Sequence, residues 1–165
     1  MIEVLVADIT TLDVDAIVNA ANRALGGGGG VDGTIHRAAG RKLVKASRAL
    51  GPIETGSAVI TPGFDLRAKY VIHAVGPIWQ GGDEREPDLL ERAYEESFAR
   101  AREAGDVRTI AFPAISTGVY GYPKDRATEI AVRAMMRHSA EHDRIIACAY
   151  DEEMAELYRR ELART

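Results

Sequence analysis

One cysteine, Cys148, is all the thiol chemistry this chain possesses. It cannot pair within the chain, which excludes a disulfide scaffold, and its setting in the run 145–149 marks it as a small buried hydrophobe. Cysteine usage this sparse fits a reducing compartment, and a cytoplasmic location is expected. The four histidines are dispersed, so no zinc cluster can be written and no metal site is expected. No apolar run approaches the length of a membrane span. The opening residues, MIEVLVADI, show no basic stretch followed by a long apolar core, so no signal peptide is expected. Positive charge is also scarce: 21 Lys and Arg face 25 Asp and Glu, for a net charge of −4, and the basic residues are scattered. Proteins that hold nucleic acid through bulk phosphate neutralisation carry a basic stripe. No stretch here interleaves basic with aromatic residues either. Nucleic acid is therefore an unexpected partner, and any phosphate bound must be held by local N–H groups.

What the chain has in quantity is glycine, concentrated in one place. Five glycines run from Gly26 to Gly30, inside NAANRALGGGGGVDGTIH, residues 19–36. A loop that merely crosses the surface has no need of them. Glycine admits a ligand close to the backbone, where bare N–H groups can converge on an oxyanion. A helix N-terminus directly after the loop adds partial positive charge. Polyglycine alone is a weak signal, because flexible linkers share it. The polar bracket strengthens it: Asn19 and Asn22 before, Asp32 and Gly33 after, and His36 four residues beyond Asp32 on the same helix face.

The 165 residues, 46% hydrophobic and 28% charged, read as one soluble domain spanning 1–165. A chain this long buries roughly 70% of its unfolded surface without a staple. Strands are expected at 2–6, 15–20, 57–61, 69–75, 108–113 and 144–149. A helical pattern runs from Thr34 to Leu50, with Ile35, Ala38, Ala39, Leu43, Ala46 and Leu50 on one face and Gly51-Pro52 as its stop. Further helices are expected over 89–104, after Pro123, and at the end of the chain around Met154, Leu157, Tyr158 and Leu162. The charge run 83–88 reads as a solvated face. Several strands are continuously apolar, which implies burial on both faces. The fold class is α/β, a three-layer α/β/α domain around a mixed, mostly parallel sheet of about six strands.

A second loop, Ser116–Pro123, repeats the architecture of the first: a strand, glycines and small polar residues, then a helix opening. Loops of this kind line the ligand crevice at the strand ends of open α/β sheets. One phosphate per loop gives a nucleotide diphosphate site. Other phosphate and hydrolase motifs fit poorly. A Walker loop needs Gly-Lys-Ser/Thr where this chain has Gly30-Val31-Asp32. Gly28, Gly30 and Gly33 spell the dinucleotide fingerprint, but five successive glycines make that nearly automatic. Ser116 lacks the flanking glycine of a nucleophile elbow, since residue 114 is alanine. His73, in YVIHAV, reads as a core histidine with satisfied hydrogen bonds.

The spacing Asn22, six residues, then Gly29-Gly30-Val31-Asp32 resembles the first loop of MacroD-type macrodomains. The run from Gly118 to Pro123 is similar to the second signature of that family. The resemblance covers nearly the whole chain. It implies a protein that binds ADP-ribose and hydrolyses ADP-ribosyl esters, both mono-ADP-ribose on Asp or Glu side chains and O-acetyl-ADP-ribose, with no metal or redox cofactor. It implies that Asp8 and Ile9 contact adenine, with Ala7 standing where glycine commonly precedes that Asp, and that Tyr150 stacks on the base. Ala21, Asn22, Gly30, Val31, Asp32 and Gly33 would line the first loop. Ser116, Thr117, Gly118, Val119 and Tyr120 would cradle the pyrophosphate, Tyr120 against the distal ribose. Asn22, Asp32 and His36 would carry the hydrolysis, Asp32 by orienting or activating water. Gly118 is expected to matter for its missing side chain. A monomer is expected. The rival reading is a silent module that only reads ADP-ribose; the Asn22/Asp32 pair favours the enzyme. The rival reading of Asp32 itself is a plain N-cap.

Overall fold

In the computed structural model, which describes residues 1–165, strands and helices alternate. Strands β1 (Ile2–Val6) and β2 (Ala16–Ala20) come first, followed by helices α1 (Gly30–Ala39) and α2 (Arg41–Leu50). Strands β3 (Ala58–Pro62) and β4 (Tyr70–Ala74) precede α3 (Glu86–Ala104). Then come β5 (Thr109–Phe112), α4 (Lys124–Arg137), β6 (Arg144–Ala149) and α5 (Glu152–Ala163). The strands make one sheet in the order β1-β6-β5-β2-β4-β3. Every pairing is parallel except β3 with β4, so the sheet is mixed and mostly parallel, as expected from the sequence.

Strand alternation divides the core in two. Val18, Ile72, Ile110 and Ala147 point to one face and meet Tyr94 and Phe98 of α3, Met135 of α4 and Tyr158 of α5. Ile17, Val71, Ala111 and Ile146 point to the other and meet Ile35 of α1 and Leu43 of α2. Both faces of the central strands are covered, which is why those strands read as unbroken apolar runs. Truncating a side chain such as Phe98 to alanine in this setting costs about 3–5 kcal/mol.

Two expectations are corrected. The stretch 34–50 is two helices, because Gly40 adopts φ +88 and breaks the chain between α1 and α2. The break re-phases the second helix: Ser47 is buried, whereas Ala38 and Leu50, expected on the apolar face, are exposed. The charge run 83–88 is not a uniformly solvated face, for Glu86 is only 1% exposed and opens α3 three residues earlier than expected. Its carboxylate accepts the N–H groups of Gln80 (2.8 Å), Gly82 (2.9 Å) and Glu84 (2.7 Å), folding the preceding loop onto the helix. Burial alone raises a carboxyl, but these donors override it and hold Glu86 down at about 2.

Candidate active site

A cleft of about 980 Å³ lies beyond the C-terminal ends of β1, β2, β5 and β6. That is where the parallel strands deliver their loops. The first glycine loop forms one wall and the loop after β5 the other. Residues expected at the site that line the cleft are Asp8, Ile9, Ala21, Asn22, Gly30, Val31, Asp32, Ser116 to Tyr120, and Tyr150. Gly33 and His36 do not line it. A Cβ on Gly33 would meet the Gly28 carbonyl oxygen at 2.5 Å, so this glycine serves the close packing of the loop on α1.

The first wall is a helix start. The N-cap of α1 is Gly29, with no side-chain capping bond, and Gly30, Val31 and Asp32 form the first turn. The N–H groups of a first turn have no intrahelical acceptor and face the ligand space. Asp32 is therefore not the N-cap. It sits inside the helix, only 5% exposed, where the helix dipole favours negative charge. Its Oδ1 accepts from Asn19 Nδ2 at 2.9 Å and lies 3.2 Å from His36 Nε2. Its Oδ2 points toward Gly28, and a Cβ built there would come within 3.3 Å of that oxygen and 3.6 Å of Asn22 Nδ2. Asn22 shapes the loop from within: Nδ2 donates to the Gly27 carbonyl at 3.0 Å, and Oδ1 accepts from Gly26 N at 3.4 Å.

The second wall is held by its own backbone. Tyr122 N donates to Ser116 O at 2.9 Å and Gly121 N to Gly118 O at 3.0 Å, while Trp79 N donates to Tyr120 O at 2.8 Å. Gly118, Val119 and Tyr120 donate their N–H groups to no protein acceptor. Positive φ falls on Ser116 (+69) and Gly121 (+71) and not on Gly118. A Cβ on Gly118 would enter open space, so what that glycine offers is clearance toward the cleft. The Ser116 hydroxyl is buried without a hydrogen-bond partner.

At the end near β1 and β6, Asp8 Oδ1 accepts from both Thr10 N (2.9 Å) and Thr10 Oγ1 (2.7 Å), which leaves Oδ2 unengaged. Tyr150 is half-exposed, its hydroxyl 3.4 Å from Thr117 Oγ1. Cys148 lines the floor, donates its S–H to Ala7 O, and is pushed up to about 11 by burial. A thiol that remains protonated at neutral pH is no nucleophile. No group of three or more His, Cys, Asp or Glu is placed to hold a metal ion. What this cleft offers is two walls with backbone N–H groups free of protein acceptors, an end with a free carboxylate oxygen beside Tyr150, and a fixed carboxylate beside Asn22.

The sequence profile of the Macro domain family matches residues 18–131. The chain belongs to the macro domain family. A macro domain-containing protein of Ralstonia nicotianae is 59% identical over 152 residues, 92% of this chain and 88% of that protein. The O-acetyl-ADP-ribose deacetylase of Salmonella newport is 54% identical over 166 residues, 96% of this chain and 92% of that protein. Among solved structures, the Oceanobacillus iheyensis macrodomain with ADP is 37% identical at a TM-score of 0.92, covering 99% of this chain and 90% of that one. The Trypanosoma brucei macrodomain in complex with ADP-ribose is 37% identical at a TM-score of 0.89, covering 98% and 68%.

Sequence reading gave some residues of this macrodomain site no separate role. Gly28, Thr34 and Arg37 line the cleft, and Asn19, read only as part of the polar bracket, stands behind Asp32. Asn19 left a usable signal: it is a polar residue in the apolar run AIVNA, and a buried amide demands partners. Thr34 and Arg37 left none, since exposed polar residues on a first helix are common.

Proposed function

We propose that this macrodomain binds ADP-ribose in the cleft and hydrolyses ADP-ribosyl esters, releasing acetate from O-acetyl-ADP-ribose and mono-ADP-ribose from Asp or Glu side chains. The observation that carries this reading is Asp32, anchored at Oδ1 by Asn19 and His36 while Oδ2 faces Asn22 across Gly28. A reader of ADP-ribose has no use for a carboxylate so constrained beside an anionic ligand. An ester hydrolase needs one to orient and deprotonate water. In this scheme the pyrophosphate lies between the N–H groups of Gly30 to Asp32 and those of Gly118 to Tyr120. Adenine meets Asp8 Oδ2 and Tyr150, and the distal ribose meets Asn22 and Tyr120. The ligand's own phosphate helps to hold the water, and no cofactor takes part. His36 does not touch the cleft and acts through Asp32. We further propose a monomer working in the cytoplasm, a setting that an unpaired, buried Cys148 fits.

Two substrates test the reading. Purified protein is mixed with O-acetyl-ADP-ribose and acetate is followed; it is then mixed with a carboxylate-linked mono-ADP-ribosylated protein and free ADP-ribose is followed. Release in both assays is expected. Tight ADP-ribose binding with no release from either substrate would leave the reader.

A further inference from the structure

A file of buried polar groups runs from the cleft wall across one face of the sheet to its antiparallel edge. Asp32 Oδ1 accepts from Asn19 Nδ2 at 2.9 Å, and the same nitrogen lies 3.2 Å from His73 Nδ1. On the far side of the ring, His73 Nε2 lies 3.0 Å from Thr61 Oγ1, and Thr61 Oγ1 donates to Pro62 O at 3.1 Å. Asn19 and His73 are register partners on β2 and β4, both wholly buried, and Thr61 is nearly so. Of these groups only Asp32 lines the cleft.

One charge sets the protons along the whole file. A carboxylate only accepts, so Asn19 must turn its NH₂ and not its oxygen toward Asp32. Asp32 and His73 approach the same Asn19 nitrogen, so His73 Nδ1 must also accept. A neutral imidazole with an accepting Nδ1 carries its proton on Nε2, and that proton faces Thr61 Oγ1. Thr61 is free to accept because its own proton goes to Pro62 O. The opposite tautomer would set Nδ1–H against an amide N–H, or, with the amide reversed, set Asn19 Oδ1 against Asp32 Oδ1. The ring is neutral: burial first, and the nearby His36 ring second, push it down to about 3. Asn19 Oδ1 is buried with no protein donor. The amide thus leaves its oxygen unpaired while its nitrogen serves two acceptors, an unusual state for a buried group that calls for a reason.

We propose that His73, held as its Nε2–H tautomer by Thr61, is a positioning residue for ester hydrolysis, fixing the Asn19 amide so that Asp32 keeps Oδ1 tethered and Oδ2 turned to substrate. This rests on the hydrolase reading above. It assigns a role in turnover to a residue on β4, one strand away from Asn19 and outside the cleft lining.

Thr61→Val keeps shape and removes the acceptor of the Nε2 proton. In this variant kcat on O-acetyl-ADP-ribose is expected to fall about tenfold, the scale of a slightly misplaced reacting group. ADP-ribose Kd should stay within about twofold. Thr61→Ser, which restores the hydroxyl, should recover kcat, and His73→Asn, which offers an amide oxygen near the place of Nδ1, should retain more kcat than His73→Leu. Long-range proton–nitrogen NMR of the imidazole should show Nε2–H in the wild type and a mixture of tautomers in Thr61→Val. A folded Thr61→Val protein with unchanged kcat, or a wild-type ring protonated at Nδ1, would overturn the proposal. Failure of the underlying reading looks different: the wild type binds ADP-ribose and releases no acetate, while the ring's tautomer is still read without turnover.

Discussion

Gly28 and Asp32 approach so closely that a Cβ on the glycine would lie 3.3 Å from Asp32 Oδ2, with Asn22 Nδ2 only slightly farther at 3.6 Å. The glycine is the gap between the two side chains proposed to face the ester. Asp32 cannot retreat freely, because Asn19 and His36 both hold its other oxygen. Gly28→Ala should therefore displace the carboxylate by a few tenths of an ångström and lower hydrolysis by about 10- to 100-fold. Its melting temperature should stay near that of the wild type. Steady-state kinetics on O-acetyl-ADP-ribose beside a thermal melt checks this, and an unaltered kcat would mean that the carboxylate position is not critical.

Asp8 keeps one oxygen on Thr10 and leaves the other for a ligand donor. A hydrogen bond to a charged group contributes about 1.5–3 kcal/mol. Asp8→Ala should weaken ADP-ribose binding by about 10- to 100-fold in calorimetry. GDP should compete less well than ADP, since guanine presents a carbonyl oxygen where adenine presents the amine that this carboxylate would accept from. Equal competition by the two nucleotides would take adenine away from Asp8.

Replacing Asp32 by alanine separates chemistry from stability. Hydrolysis should fall by about 10²-fold or more, the scale of a lost acid–base group, while ADP-ribose affinity is largely kept. Gly29 is the N-cap, so no capping bond is lost. The stability cost comes instead from Asn19 and His36, each deprived of its carboxylate partner in a buried place. That costs about 1–3 kcal/mol, or roughly 2–4 °C of Tm per kcal/mol in a chain of this size. A wild-type rate in the folded variant would return the silent reader to first place.

His73 should leave a mark on acid stability. Its pKa is about 3 in the fold, against an ordinary value of 6.5. Above pH 6.5 the ring is neutral in both states and adds no pH dependence. Between 6.5 and 3 the unfolded chain takes up a proton that the native ring refuses, so stability is lost as pH falls, by about 1.4 kcal/mol per pH unit. His73→Asn should flatten that slope by one proton. Urea melts of both proteins at pH 7, 6 and 5 measure the difference, and parallel slopes would show that the native ring is protonated.

The two loops, Asn22, Asp32 and the strand–helix order were legible because they depend on local chemistry: runs of glycine, apolar periodicity and spacing along one chain. The sequence alone determined that this is a mostly parallel α/β chain with two glycine-bearing loops opening onto helices. The helix break at Gly40 was hidden, since the apolar positions on either side satisfy one continuous pattern and only φ +88 rotates the second face. Glu86 read as solvent-facing because nothing in a charge run shows that the backbone ahead will curl onto its carboxylate. The setting of Asp32 was likewise decided by tertiary structure. Its partners come from β2 and from the next turn of α1, and the groups behind them come from β4 and β3. Residues 19, 32, 61 and 73 lie far apart in sequence. Only the pairing of β2 with β4 and of β4 with β3, with α1 laid over that face, brings them within hydrogen-bonding distance, because a side-chain hydrogen bond reaches about 3 Å and sequence spacing says nothing about which strands become neighbours.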